Sequence, residues 1–166
     1  TKWVDINKGD KVNPECRSRL VAQEVKTKSD KRDDLFAATP PLEAQKMLFR
    51  MAVMEGVGCH KKDRSEGKKL DFIDIRRAFF QADARRKVYV RLPPEDSQPG
   101  MCARLNKAMY GTRDAAQNWE FRYAGVMTDL GFRVGKSSPC VFYTADRDIA
   151  VVVHGDDFTV LGYEVD

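Results

Sequence analysis

One stretch near the C-terminal end decides the fold, because two acids interrupt an otherwise apolar run of β-favouring residues: Val151-Val152-Val153-His154-Gly155-Asp156-Asp157-Phe158. Acids in a half-buried strand are costly unless a positive charge meets them, and adjacent carboxylates also repel each other. A tight turn that presents both acids toward a divalent cation resolves both problems, and Gly155 permits such a turn. The stretch therefore predicts a β-hairpin with a carboxylate pair at its tip.

A further acid inside an apolar strand lies upstream, at Asp74 in the segment 70–75. Neighbouring strands of one sheet could bring Asp74 beside Asp156 and Asp157, where the three could hold paired divalent metals for phosphoryl transfer. Magnesium suits such a site because it binds a few carboxylates together with phosphates and water. The competing interpretation is that these acids cap turns or pair with arginines, and an isolated Asp-Asp dipeptide favours it.

The remaining elements surround these acidic strands. Two segments have helical spacing, with Ala44, Met47, Leu48, Met51 and Ala52 on one face of the first and Ala116, Trp119, Tyr123, Val126 or Met127, and Leu130 in the second. Pro40-Pro41 and Gly56 bracket the first helix. Strands are predicted at 2–6, 16–25, 70–75, 88–92, 141–144, 149–154 and 158–161, with a short helical or turn segment ending at Ala82 and a second helix at 113–130. This order predicts an α+β fold, with an antiparallel sheet and helices on one side.

Composition limits the class of protein. Charged residues make up 33% and the mean hydropathy is −0.53, and no apolar run approaches a membrane span, so we expect no membrane partner. The four cysteines form no C-x-x-C pair, which predicts reduced thiols in a cytoplasmic or nuclear protein that is not secreted, and with two histidines no zinc site is expected. The net charge of +4 is compatible with a polyanionic partner. Two basic segments carry much of this charge, as solvated loops or as nucleic-acid contacts: Lys61, Lys62, Arg64, Lys68 and Lys69, then Arg76, Arg77, Arg85, Arg86 and Lys87.

A series of blocks in order resembles the reverse transcriptase domain of copia-type retrotransposons. The blocks are Lys2-Trp3-Val4, 17–23 (RSRLVAQ), 34–40 (DLFAATP), 74–80 (DIRRAFF) followed by Val88-Tyr89-Val90 and Pro93-Pro94, 105–111 (LNKAMYG) leading to Trp119, Gly131-Phe132 through 138–142 (SPCVF), and 154–157 (HGDD), where that family has Tyr-Val-Asp-Asp. The match covers nearly the whole chain. Taken together, the ordered blocks outweigh the interpretation of the acids as turn caps.

The resemblance implies a polymerase palm, in which helices pack on one face of an antiparallel sheet, together with part of a fingers subdomain. Within a single domain, residues 1–69 and 76–110 would be fingers-related, and 70–75 and 111–166 would form the palm. Because the chain ends soon after Asp157, we expect the thumb and RNase H to be missing. The implied partners are an RNA template, a DNA primer and product, deoxynucleotides (dNTPs), and the remaining Pol segments, namely thumb, RNase H and integrase. The implied setting is a cytoplasmic retrotransposon particle or the nucleus.

The resemblance also implies roles for individual residues. Asp74, Asp156 and Asp157 would be the catalytic carboxylates and would hold two Mg²⁺ ions, with Mn²⁺ as an alternative. Phe79 would crowd the 2′-position of the sugar and select dNTPs, or else pack in the core. The residues expected at the incoming dNTP are Arg17, Arg19, Ile75, Arg76, Arg77, Ala78, Phe79, Tyr110 and Gly111. The arginines of the hairpin could instead be surface charges, and Tyr110 could simply pack.

Several residues depart from the pattern of that family. His154 and Gly155 replace a tyrosine and an aliphatic residue, Glu24 replaces a common glycine, and Asp114 and Ala116 replace glutamine and proline. These departures keep open a decayed, inactive remnant that binds nucleic acid through its basic loops. Gly155-Asp156-Asp157 also matches the triplet of RNA-templated RNA polymerases, although Phe79 argues for deoxynucleotides.

Overall fold

The computed structural model describes residues 1–26, 35–54, 57 and 67–163. The predicted charged loop at 27–34, the end of the first helix at Gly56, and the residues Cys59, His60, Lys61, Lys62 and Arg64 lie outside these ranges. The elements in chain order are β1 (Lys2–Asn7), β2 (Cys16–Val21), α1 (Leu42–Val53), β3 (Lys69–Asp74), α2 (Ala78–Gln81), β4 (Tyr89–Val90), a 3₁₀ helix (Pro94–Asp96), β5 (Ala103–Arg104), α3 (Ala115–Asp129), β6 (Arg133–Val134), β7 (Val141–Thr144), β8 (Ile149–His154) and β9 (Asp157–Gly162). The predicted α+β class with a mostly antiparallel sheet is confirmed.

The chain forms two compact units. The first contains Thr1–Phe36 and Phe79–Trp119, and the second contains Ala37–Ala78 and Glu120–Asp166. These boundaries are not those of the predicted fingers and palm segments, and that assignment stays a prediction. No helix in the part of the chain that the structure describes is long and apolar enough to cross a bilayer.

The first unit begins with the antiparallel hairpin β1–β2, in which Lys2 pairs with Val21 and Asn7 with Cys16. Short polar side chains hold its turn, since the Asn7 side chain accepts a hydrogen bond from the Gly9 amide at 3.0 Å and Asp10 accepts one from the Val12 amide at 2.7 Å. β2 is shorter than the predicted strand, which extended to residue 25. Residues 22–24 leave the hairpin and bind another part of the unit instead.

The second unit is built on a five-stranded antiparallel sheet in the order β3-β9-β8-β7-β6. Leu48 of α1 packs against Val152 and Leu161 on one face of this sheet. On the other face, the Tyr123 ring of α3 meets the rings of Phe142 and Phe158 edge-on, with centroids 6.0 Å and 5.8 Å away. The two helices therefore cover opposite faces.

The prediction that the helices lie on one side of the sheet is wrong, and β8 shows the physical reason. Val151, Val152 and Val153 are all buried, although successive residues of a strand point to opposite faces. An unbroken apolar run is typical of a strand covered on both sides, whereas a strand covered on one side alternates apolar with polar residues.

Candidate metal centre

A two-residue turn carries the acidic pair. β8 and β9 are antiparallel, and His154 pairs with Asp157, which leaves Gly155 and Asp156 as the loop. Gly155 has a φ of +66° and Asp156 is not in the positive-φ region. Positive φ at only the first loop residue is the pattern of a type II′ turn, which favours glycine there. The sequence therefore places Asp156 at the tip and Asp157 at the first position of β9.

The third acid reaches this turn through strand pairing. Asp74, the last residue of β3, is the cross-strand partner of Asp157, and the Ile75 amide donates a 2.9 Å hydrogen bond to the Asp156 carbonyl. One carboxylate oxygen from each of Asp74, Asp156 and Asp157 lies within 4.8 Å of the others, and all three side chains are exposed. The structure brings together all three acids that were predicted to act jointly.

The donor set fits a hard divalent cation. Three carboxylates at this separation repel one another, and in the part of the chain that the structure describes no lysine or arginine forms an ion pair with them. Two oxygens on one Mg²⁺, each at about 2.1 Å, can be no more than about 4.2 Å apart. The 4.8 Å limit is close to this value, so small side-chain rotations, or two ions sharing the acids, would complete the coordination. Exposure leaves room for water or phosphate ligands.

The residues after Asp74 form a turn into a short helix. Ile75 is half-buried, Arg76 and Arg77 are exposed, and Ala78 is buried at the start of α2. Arg77 has a φ of +57°, which is uncommon for a residue with a side chain and is found often at functional sites. Both arginine side chains are exposed and follow Asp74 closely in the chain.

In the first unit, three of the residues predicted to contact the nucleotide, two aromatic and one basic, form a group joined by contacts with Tyr110. The rings of Phe79 and Tyr110 lie 4.7 Å apart between centroids, and the Arg19 guanidinium lies 5.7 Å from the centre of the Tyr110 ring. Phe80 contacts the same tyrosine edge-on at 5.5 Å. Arg17 is exposed on β2, opposite Ile6, and is not part of this group.

Gly111 allows two backbone segments to meet. Its φ is +86°, and a Cβ there would lie 1.9 Å from the carbonyl oxygen of Ala22. The Ala22 amide donates to the Tyr110 carbonyl at 2.7 Å, and the Glu24 amide donates to the Gly111 carbonyl at 3.2 Å. Only glycine fits at this position.

An ionic cluster in the first unit was not predicted. Arg86 binds the Asp114 carboxylate with two hydrogen bonds, from Nε at 2.8 Å and from Nη2 at 3.0 Å, and it binds Glu24 as well. Burial raises the pKa of Asp114, but the hydrogen bond and charge of Arg86, with smaller contributions from the backbone and Asn118, hold that pKa below its usual value. Lys68 is likewise paired, with Asp148 at 2.6 Å in the second unit. Arg86 and Lys68, both members of the basic segments, thus form ion pairs. The acids that they bind are distant along the chain, so the sequence gave no local signal of these pairs.

The described cysteines differ in environment. Cys16 and Cys102 are exposed, Cys140 is buried, and none of these forms a disulfide. Burial raises the pKa of the Cys140 thiol, and it also raises that of the neighbouring Tyr123 hydroxyl. Cys140 is therefore a core residue.

These features define an α+β protein whose antiparallel sheet presents a group of three exposed carboxylates where two neighbouring strands meet a tight turn. The model of the Reverse transcriptase (RNA-dependent DNA polymerase) family matches residues 1–166, so the chain belongs to that family. Its curated relatives place it with the copia type, as the resemblance had implied.

The relatives are Pol polyproteins of transposons. The chain is 22% identical over 170 residues to the Retrovirus-related Pol polyprotein from transposon TNT 1-94 of Nicotiana tabacum, an alignment that covers 97% of the chain and 12% of that protein. It is 26% identical over 95 residues to the polyprotein from transposon RE1 of Arabidopsis thaliana, with 54% of the chain and 6% of the relative covered. It is 28% identical over 82 residues to the Truncated transposon Ty1-A Gag-Pol polyprotein of Saccharomyces cerevisiae, with 49% and 7% covered. No solved structure matches the chain significantly.

Proposed function

We propose that this chain is the fingers-and-palm part of a copia-type reverse transcriptase, in which Asp74, Asp156 and Asp157 hold two Mg²⁺ ions. The observation that carries the proposal is the grouping of three carboxylate oxygens within 4.8 Å, from strands that are distant in sequence. Membership of the family supports this class of chemistry, and the grouping supports the choice of these three acids.

The reaction would join a dNTP to the 3′-hydroxyl of a primer and release pyrophosphate. Mg²⁺, or Mn²⁺ in its place, would supply Lewis-acid stabilisation of the attacking and leaving oxygens. The protein has little covalent work in such a reaction, because positioning and electrostatics account for most of the catalysis. The role of the three aspartates would be to fix the positions of the two metal ions.

The residues of each unit have separate roles in this proposal. In the second unit, the backbone amides that follow Ile75, from Arg76 to Ala78, would face phosphate oxygens, since backbone amides can bind anions. In the first unit, Phe79 would exclude a ribose 2′-hydroxyl. Arg17 and Arg19 would neutralise the triphosphate, with Tyr110 and Gly111 beside the templating base.

The expected macromolecular partners are an RNA template and a DNA primer. The chain spans 12% of the tobacco polyprotein and 6% of the RE1 polyprotein, and both names identify Pol polyproteins. We therefore propose that a thumb, an RNase H and an integrase accompany this chain in its parent polyprotein. The activity belongs to that larger protein.

Primer extension tests the proposal. The polypeptide, extended past Asp166 by its natural downstream residues, is given an RNA template, a DNA primer and dNTPs with Mg²⁺ or Mn²⁺. Asp156→Asn should lower the rate of extension about a hundredfold or more, because it removes charge stabilisation from the reacting centre. Asp71→Asn is the matched control, since Asp71 is exposed on the same strand but lies outside the carboxylate group.

Metal binding gives a second readout that does not require activity. Titration of the 166-residue chain with Mn²⁺, followed by electron paramagnetic resonance, should show binding that Asp74→Asn weakens and Asp71→Asn does not. Equal extension and equal Mn²⁺ affinity in all variants would contradict the proposal. Normal metal binding without extension would instead favour the inactive remnant.

A further inference from the structure

The ionic cluster of Glu24, Arg86 and Asp114 joins three distant parts of the first unit. The Arg86 guanidinium binds Asp114 through both carboxylate oxygens and also donates to Glu24 Oε2 at 2.5 Å. The exposed fractions of the side chains are 9% for Asp114, 20% for Glu24 and 31% for Arg86, so the three charges are only partly solvated. A two-pronged contact of this kind fixes orientation as well as distance.

The remaining hydrogen-bonding capacity of the two acids is directed to the same region. Glu24 Oε2 accepts from the backbone amide of Arg113 at 2.9 Å, and Asp114 Oδ2 accepts from the Asn118 side chain at 3.2 Å. Removal of Arg86 would leave two partly buried carboxylates without their main cation, which costs far more than the loss of an exposed pair.

The cluster holds the loop formed by residues 110–113. The backbone of Ala22 and Glu24 is hydrogen-bonded to the carbonyls of Tyr110 and Gly111, and the Glu24 side chain binds the amide of Arg113. Arg86 connects Glu24 to Asp114, the residue directly before α3. The Arg86 contacts thus hold the C-terminal end of the loop, and the backbone of Ala22 and Glu24 holds its N-terminal end.

The held loop positions an aromatic side chain. Tyr110 contacts Phe79 at 4.7 Å and lies under the Arg19 guanidinium. We propose that Glu24, Arg86 and Asp114 are positioning residues that fix the loop at 110–113, and through it the Tyr110 ring, in the arrangement that accepts a nucleotide. The second half of this inference rests on the proposed function, whereas the first half does not.

Hydrogen exchange tests the first half. Deuterium uptake, read by mass spectrometry in peptides covering 110–113, should be about tenfold faster in Arg86→Gln than in the unmodified chain, because local opening loses charged hydrogen bonds. Peptides of β8 and β9 in the second unit should exchange as before. Lys107→Gln is the matched control, since Lys107 forms an exposed 2.6 Å ion pair with Asp83 in the same unit.

Glu24→Gln provides a milder change if Arg86→Gln does not fold, because the amide keeps the shape and loses the charge. Faster exchange confined to the loop supports the inference. Unchanged loop exchange in Glu24→Gln, or a rise of equal size in every peptide, overturns it.

Steady-state kinetics of the extended polypeptide test the second half. Arg86→Gln should raise the KM for dNTP about tenfold with little change in kcat, since it alters the placement of the nucleotide and not the metal site. Arg86→Lys should not restore the KM, because lysine lacks the planar fork that binds Asp114 with two hydrogen bonds. An unchanged KM in a variant whose loop exchange is faster overturns the role in nucleotide placement. If Asp156→Asn has no effect on extension, the proposed function fails, and hydrogen exchange alone decides whether the cluster fixes the loop.

Discussion

Gly111 and Gly131 have the same backbone φ of +86° and differ in what surrounds them. A side chain at Gly111 would meet the Ala22 carbonyl at 1.9 Å, whereas one at Gly131 would have nothing within 4 Å. A comparison of alanine substitutions at the two glycines therefore separates two contributions to the free energy of unfolding. One is the cost of a side chain at positive φ, and the other is the cost of a collision with a neighbouring backbone.

We predict that Gly131→Ala lowers the free energy of unfolding by about 1 kcal/mol, which is the cost of placing a side chain at positive φ. Gly111→Ala should cost about 3 kcal/mol or more, because the backbone at Ala22 must also move. Urea denaturation followed by circular dichroism measures both. Equal losses in the two variants would show that the close approach at Gly111 is not maintained in solution.

The lowered pKa of Asp114 makes the stability of the chain depend on pH. Burial raises the pKa of this carboxyl, but the hydrogen bond and charge of Arg86, together with the backbone and Asn118 hydrogen bonds, hold the pKa in the folded chain below the ordinary value of 3.8. A lowered pKa contributes stability above the unfolded-state value, and that contribution is lost as pH falls through the folded-state value.

We therefore predict that acidification below about pH 4 destabilises the chain more than it destabilises Asp114→Asn. The variant should be less stable at neutral pH and should have a flatter dependence of unfolding free energy on pH in the acid range. Denaturation at a series of pH values checks this, with Asp129→Asn, an exposed acid at the far end of α3, as the control. A parallel pH dependence in Asp114→Asn would contradict the assignment.

Among elements, α1 shows how helical spacing predicts a buried face and where that prediction stops. Leu48 is buried and Ala44, Met51 and Ala52 pack around it, as predicted, but Met47 is 61% exposed. Met47 lies about 100° around the helix from Leu48. The sheet covers a narrow stripe of α1, which does not extend that far.

We predict that Leu48→Ala lowers the free energy of unfolding by about 2–5 kcal/mol, because it opens a cavity against Val152 and Leu161. Met47→Ala, a change of similar size on the exposed side, should cost less than about 0.5 kcal/mol. Thermal or urea unfolding compares the two. Similar losses would mean that α1 packs in a different rotation.

The strands show how much of the site the sequence could predict. The hairpin of residues 149–161 was predicted almost to the residue, because Gly155 and the two acids separate apolar runs that favour strands. Asp74 was singled out from the sequence and supported by the family resemblance, although Asp71 lies in the same apolar segment and local spacing does not separate the two acids. The physical difference between them is strand pairing, which sets Asp74 opposite Asp157 and Asp71 opposite Val160. Pairing between distant strands cannot be read from local spacing.

Two features of the sequence are explained only by the folded structure. The unbroken apolar run Val151–Val153 is typical of a strand covered on both faces. It was used only to predict a hairpin, and the prediction of helices on one side of the sheet did not take it into account. Glu24 and Asp114 departed from the family pattern separately, and the structure shows that both bind Arg86. Residues that are 90 positions apart along the chain give no local sign that they share a partner.

At the scale of the whole molecule, the net charge of +4 and the exposed arginines Arg17, Arg76 and Arg77 favour a polyanionic partner. We predict that the affinity of the chain for an RNA–DNA primer–template falls as salt rises, with a negative slope of log K against log salt. Arg17→Gln should reduce the size of that slope by about one phosphate contact. Fluorescence anisotropy over a salt series measures it. Lys46→Gln, an exposed change on α1, should leave the slope as it is, and a slope near zero in the unmodified chain would contradict the prediction.

The pairing of Asp74 with Asp157 across two strands has a consequence for the folding of the chain. A slip of one residue between β3 and β9 would turn Asp74 to the opposite face of the sheet, and the three acids would no longer meet. A cation held by these three acids would therefore favour the register of β3 and β9 that brings them together. A chain with the shifted register would bind the cation more weakly. A cation present during refolding would therefore favour the native register.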